Sequence, residues 1–128
     1  ELLERKARRI TGLRGRGGEQ KAAEYLKKRG YKTVGMNFRC RVGEIDVIAE
    51  NRKYIVFCEV KLRKSDSFAQ AREYVTAAKQ DRLRSTASIW LSQNETDKQP
   101  RFDIIEIYAP NGADEENYSI NHIENAFE

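Results

Sequence analysis

Gly43-Glu44-Ile45-Asp46-Val47-Ile48-Ala49, the polar interval Glu50 to Lys53, and Tyr54-Ile55-Val56-Phe57-Cys58-Glu59-Val60-Lys61-Leu62 together decide how this chain folds. The first segment reads as a strand. The last is a nearly continuous apolar run of strand formers and suits the centre of a sheet covered on both faces. With Ala49 and Tyr54 flanking the turn between them, directly opposed residues have numbers summing to 103, which pairs Asp46 with Phe57 and Glu44 with Glu59. Opposed residues share a face, so alternation places Glu44, Asp46, Glu59 and Lys61 together, with Asp46 and Glu59 as diagonal neighbours about 7 to 8 Å apart at the backbone. Acids on one face of an apolar strand are costly to bury unless a cation or lysine compensates. A divalent ion would resolve the repulsion. Oxygen donors alone suit Mg²⁺ or Mn²⁺ rather than zinc.

Working outward, Val34, Met36, Phe38 and Cys40 alternate with polar residues, predicting a half-buried strand antiparallel to the next. Before it, a helix is expected over Glu19 to Arg29, stopped by Gly30, with Ala22, Ala23 and Leu26 as its buried stripe. Glu19 shares that stripe, at three, four and seven residues from those positions, so a carboxylate turns toward the core. After a polar loop from Arg63 to Ser67, a helical stretch runs to about Gln93. Leu83, Ala87, Trp90 and Leu91 form its stripe, and Thr76 suits the N-cap of its main part. Phe102 to Tyr108 is a fourth strand, reached across a helix and therefore parallel to its neighbour by a right-handed crossover. Asn111-Gly112 is a turn, and Tyr118 to Ile123 an edge strand. The expectation is an α/β fold: a central mixed sheet, part antiparallel meander and part parallel by helical crossover, flanked by helices.

The 128 residues fit one domain, and 39% hydrophobic with 34% charged residues is a globular balance. No apolar run would span a bilayer and no signal-peptide pattern opens the chain, so a cytoplasmic protein without membrane contact is expected. Cys40 and Cys58 lack CxxC spacing and a nearby histidine, which argues for free thiols rather than a zinc or redox site. Residues 1 to 17 carry six basic side chains against two acids, whereas 111 to 128 carry five acids and no Lys or Arg. The division expected is a basic arm over 1–17, suited to polyanions, and a single domain over 18–128. His122, the only histidine, lies in the acidic tail and suits a structural hydrogen bond.

GEIDVIA, then FCEVK with thirteen positions from Asp46 to Glu59, resembles the PD-(D/E)xK nuclease pattern. With Gly18-Glu19, Asn37-Phe38-Arg39, Lys79, Arg101-Phe102-Asp103 and His122 to Phe127, the set more closely resembles the YraN-like family, related to Holliday-junction resolvases. The resemblance implies a restriction-endonuclease-like fold and a metal-dependent endonuclease hydrolysing phosphodiester bonds in DNA, including branched or structure-specific substrates. It would make Asp46 and Glu59 ligands of Mg²⁺ or Mn²⁺, with the Val60 carbonyl as a further donor. Lys61 would orient the attacking water, and Glu19 would complete the catalytic set. The proline of the wider motif is absent; Ile45 precedes Asp46. Lys79, four residues before Leu83, points with the buried stripe toward the sheet, and Arg39, Arg41 and Arg63 flank the site; these four are candidate nucleic-acid contacts. A homodimer is compatible with such an enzyme. The alternatives are a catalytically silent nucleic-acid-binding or adaptor module and a protein-interaction subunit using the acidic tail.

Overall fold

The computed structural model describes residues 17–63, 75–109 and 117–128. The loop and early helical turn expected between 64 and 74, the Asn111-Gly112 turn and nearly all of the basic arm lie outside them. Five strands, β1 (Lys32–Cys40), β2 (Gly43–Glu50), β3 (Tyr54–Arg63), β4 (Gln99–Tyr108) and β5 (Ser119–Phe127), form one sheet in that order. All neighbours are antiparallel except β3 and β4, which run parallel. Helix α1, described over residues 17–28, precedes the sheet, and α2 (Ala77–Gln93) makes the crossover from β3 to β4.

Each helix covers one face. Ala22 and Leu26 of α1 pack on Val47, Ala49, Val56, Cys58, Ile105 and Ile107. Leu83, Ala87 and Trp90 of α2 pack on Ile45, Ile48, Ile55, Phe57 and Ile104. In β3, Ile55 and Phe57 go to one core and Val56 and Cys58 to the other, which is why this strand reads as an unbroken apolar run. The helix ends follow their residues. Thr76 Oγ1 accepts the Lys79 amide at the start of α2, and Gly30, with φ at 90°, stops α1 in a conformation that costs glycine little.

The β2–β3 register differs from the expected one. Val47 pairs with Cys58 and Glu50 with Ile55, so opposed numbers sum to 105 and each partner moves two residues along. The cause is Asn51, whose side-chain oxygen accepts the Lys53 and Tyr54 amides while its own amide bonds the Tyr54 carbonyl. That Asx turn closes the hairpin around Arg52-Lys53, tighter than the four-residue turn expected. The even shift preserves the facing sense but removes the Asp46–Phe57 and Glu44–Glu59 pairs.

Candidate active site

Continuing the register would set Asp46 directly against Glu59, two carboxylates side by side, which is destabilising. The ladder stops one step short, at Val47 and Cys58. Beyond it, Asp46 Oδ2 accepts the Val60 amide at 2.8 Å, taking the place of a backbone partner. The side-chain alternation breaks here as well: Ile45 and Ile48 both join the α2-side core, while Val47 and Ala49 join the α1 side. Across from Asp46, between the pairs Met36–Val47 and Phe38–Ile45, Asn37 takes φ of 53°, a left-handed conformation that asparagine tolerates. The single face expected for Glu44, Asp46, Glu59 and Lys61 is therefore corrected. Glu44 stands apart, exposed and paired with Arg39 at 3.0 Å. Asp46 occupies the fork between two parting strands.

Charges gather at that fork from three elements. Glu19 on α1 is buried, as the stripe required, and this part of α1 lies over the same end of the sheet, since a Cβ added at Gly18 would lie 3.7 Å from Val60 Cγ1. Glu59, on β3, is buried; its Oε1 receives Lys79 Nζ from α2 at 2.6 Å and Lys61 Nζ at 3.1 Å. Burial, then the neighbouring Glu59, push the Asp46 carboxyl up to about 7; Glu19 and Glu44 add to this, and the Val60 amide opposes it, as does the charge of Lys79. Lys61 is held below its ordinary value by burial and by the adjacent Lys79, against the pull of Glu59. For Lys79, burial is outweighed by the bonds to Glu59 and Lys61, and its pKa is raised.

The oxygen donors of Asp46, Glu59 and the Val60 carbonyl suit a hard divalent cation. A carboxyl whose proton affinity is raised by neighbouring acids, as that of Asp46 is, meets the electrostatic condition that such a cation relieves. Among the described residues, no three His, Cys, Asp or Glu side chains form a ready-made metal cluster, and Glu59 is held by lysines. Of the expected nucleic-acid contacts, Lys79 reaches the site, Arg41 is exposed at the β1–β2 turn, and Arg39 serves Glu44. Arg63 Nε lies 3.4 Å from Glu106 Oε2.

Glu106 escaped the sequence reading. It is fully buried opposite Lys61 and also accepts Asn121 Nδ2 at 3.1 Å. A lone acid in the apolar stretch Ile104 to Tyr108 was the signal that could have found it. A second buried network lies on the α1 side. Asp103 takes Arg101 on both oxygens at 2.9 and 2.8 Å, His122 Nε2 at 2.7 Å and the Asn125 amide at 3.0 Å. Arg101 also donates to Tyr31, and His122 Nδ1 lies 3.1 Å from the Tyr25 hydroxyl. The structural role expected for His122 is the one this geometry gives it.

Fold and cluster thus define an α/β protein with a five-stranded mixed sheet, two covering helices and a carboxylate–lysine group at the fork of β2 and β3. The chain belongs to the family described as "Uncharacterised protein family UPF0102", whose model matches residues 18–107. A UPF0102 protein of Caldanaerobacter subterraneus subsp. tengcongensis is 46% identical over 112 residues, covering 86% of this chain and 90% of its own. One from Caldicellulosiruptor saccharolyticus is 41% identical over 114 residues, with 88% and 95% covered. A Vibrio campbellii relative is 44% identical over 111 residues, with 84% and 86% covered. No helix among the described residues is long and apolar enough to cross a membrane.

Proposed function

We propose that this protein is a divalent-metal-dependent endonuclease of the restriction-endonuclease-like class, hydrolysing phosphodiester bonds in DNA, branched or otherwise structured substrates included. The observation that carries the reading is the convergence of Glu19, Asp46 and Glu59 with Lys61, in surroundings that drive the Asp46 carboxyl up to about 7. Ion pairs built for stability do not leave one acid so poorly compensated.

In this reading Asp46 and Glu59, with the Val60 carbonyl, hold Mg²⁺ or Mn²⁺, which supplies a Lewis acid beside the scissile phosphate. Asp46 is anchored for that task by the Val60 amide. Lys61, partly buried with an ammonium held in place by Glu59, orients the attacking water and offsets charge developing on the phosphate. Glu19 adds negative charge from the α1 side. Helix α2 begins close to Glu59, which its first-turn Lys79 reaches, and its N-terminal dipole favours an approaching polyanion. The placement of Lys61 and Lys79 on Glu59 supports a second reading, a nucleic-acid-binding or adaptor module without catalysis, in which the lysines permanently satisfy that acid.

The deciding experiment compares duplex, flap, fork, four-way-junction and single-stranded DNA with Mg²⁺ or Mn²⁺, using wild type and Lys61→Ala. Cleavage by wild type, slowed about 10² to 10³-fold in the variant with folding and most DNA affinity kept, is the expected result. Tight binding with no cleavage of any substrate would install the adaptor reading.

A further inference from the structure

Two carboxylates, Glu19 and Glu59, act on a third, Asp46, at the fork. The two ammonium groups of Lys61 and Lys79 both bond one oxygen, Glu59 Oε1, while Asp46 has the Val60 amide. Lys79 makes the shorter of the two bonds, 2.6 Å against 3.1 Å for Lys61. The two lysines reach that oxygen from different elements. Lys61 shares β3 with Glu59, two residues away, and makes the longer bond from the acid's own strand. Lys79 arrives from the first turn of α2, where Thr76 caps the helix on the Lys79 amide itself. Its backbone is fixed, but four side-chain torsions can carry the ammonium away. The Lys79 side chain is 29% exposed whereas that of Glu59 is 10% exposed, so the lysine has an open path to water and the acid does not.

We propose that Lys79 is a built-in counter-ion: it occupies the cation's place on Glu59 while the site is empty and yields that oxygen when a divalent cation binds. The inference rests on the metal-binding reading above and adds a residue and a step to it. Exchanging one ammonium for a dication adds a positive charge where acids from neighbouring strands, Asp46 and Glu59, come together. The exchange also protects the free protein, because Glu59 would otherwise be a buried acid with Lys61 alone. Lys79 thus acts as a positioning residue through Glu59, and its cost to the metal appears as weakened affinity.

The test uses the full chain and Mg²⁺, with calorimetry on wild type, Lys79→Met and Lys79→Arg, and lysine side-chain ¹⁵N NMR on wild type. Lys79→Met should bind Mg²⁺ about tenfold tighter, since a bond worth roughly 1.4 kcal/mol no longer competes. Lys79→Arg, which keeps the charge, should bind no tighter than wild type. In wild type the Lys79 Nζ resonance should move on titration, with the same midpoint that calorimetry gives, and the Lys61 resonance should stay bonded to Glu59. If wild type binds Mg²⁺ while the Lys79 resonance stays still and Lys79→Met binds no tighter, the exchange is wrong and the metal site survives. If wild type binds neither Mg²⁺ nor Mn²⁺, the metal reading falls and the exchange falls with it. The NMR arm needs no variant, so an unfolded Lys79→Met would leave the proposal open to refutation.

Discussion

Replacing Asp46 by Asn should make the cation-free protein more stable at alkaline pH, an unusual outcome for a partly buried side chain. The amide keeps an oxygen for the Val60 N–H and removes the charge that Glu59, Glu19 and Glu44 oppose. In wild type the folded carboxyl titrates at about 7 against an ordinary 3.8. Its folded pKa is raised, so the stability it contributes is complete below about 3.8 and is lost as pH rises through about 7. At about 1.36 kcal/mol per pH unit that interval is worth ~4 kcal/mol, and solvent at the edge of the fork reduces it to roughly 2 to 4. Urea unfolding followed by Trp90, the only tryptophan, would be compared from pH 4 to pH 9. The advantage of Asp46→Asn should open above pH 4 and level off above pH 7. Saturating Mn²⁺ should offset most of that advantage, stabilising wild type by about 2.7 kcal/mol at a hundred times its dissociation constant and leaving Asp46→Asn unmoved. A difference independent of pH, or a variant less stable at pH 9, would refute the electrostatic account of the fork.

Two further outcomes are expected. Deleting the residues before Gly15 should weaken DNA binding and flatten its salt dependence by about 0.9 in log–log slope for each phosphate the arm neutralises, measured by anisotropy titrations at several ionic strengths; an unchanged slope would make the arm irrelevant to binding. His122→Ala should destabilise the fold by about 2 to 4 kcal/mol in denaturant unfolding, because buried Asp103 is deprived of a charge-assisted partner. Burial raises the Asp103 carboxyl, but His122 and then Arg101 outweigh it and hold it below its ordinary value. Its contribution is therefore present above about pH 4 and lost on further acidification, and a defect that grew at acid pH would contradict that assignment.

Strand order, the crossover and both covering helices were legible because each rests on local periodicity: alternation in β1, an unbroken apolar run in β3, stripes at three and four residues in α1 and α2. Register was not, since it depended on one side chain, Asn51, closing the hairpin from outside the alternating pattern. That error carried into the site, where strict alternation also failed at Asp46. Glu19, Asp46 and Glu59 still stand out, because an acid inside an apolar stripe announces a cost whichever residue it opposes, and Lys61 follows Glu59 by two residues on the same strand. The partnership of Lys79 with Glu59 was beyond reach: helical spacing aims Lys79 at the sheet, but which side chain it meets is set by how α2 crosses β3. Arg63 shows the same limit, its contact with Glu106, forty-three residues away, being invisible to local periodicity.

The contrast among buried acids bears most directly on what the fork is for. Asp103 and Glu106 show how this fold neutralises a carboxylate it keeps for structure. Asp103 receives four hydrogen bonds from Arg101, His122 and the Asn125 amide, and Glu106 has Arg63 on one oxygen and Asn121 on the other. Asp46 sits on the same sheet with a backbone amide bonded to it, the charge of Lys79 nearby and three acids pressing on it. A cross-strand arginine or asparagine would have sufficed to settle it, and neighbouring strands supply both elsewhere. Poor satisfaction of a group that the fold is equipped to satisfy is what a site awaiting a cation requires. The Asp46→Asn experiment therefore discriminates beyond stability: a structural acid would lose stability on neutralisation, as Asp103 should, whereas a ligand kept under tension should gain it and lose the metal in the same step.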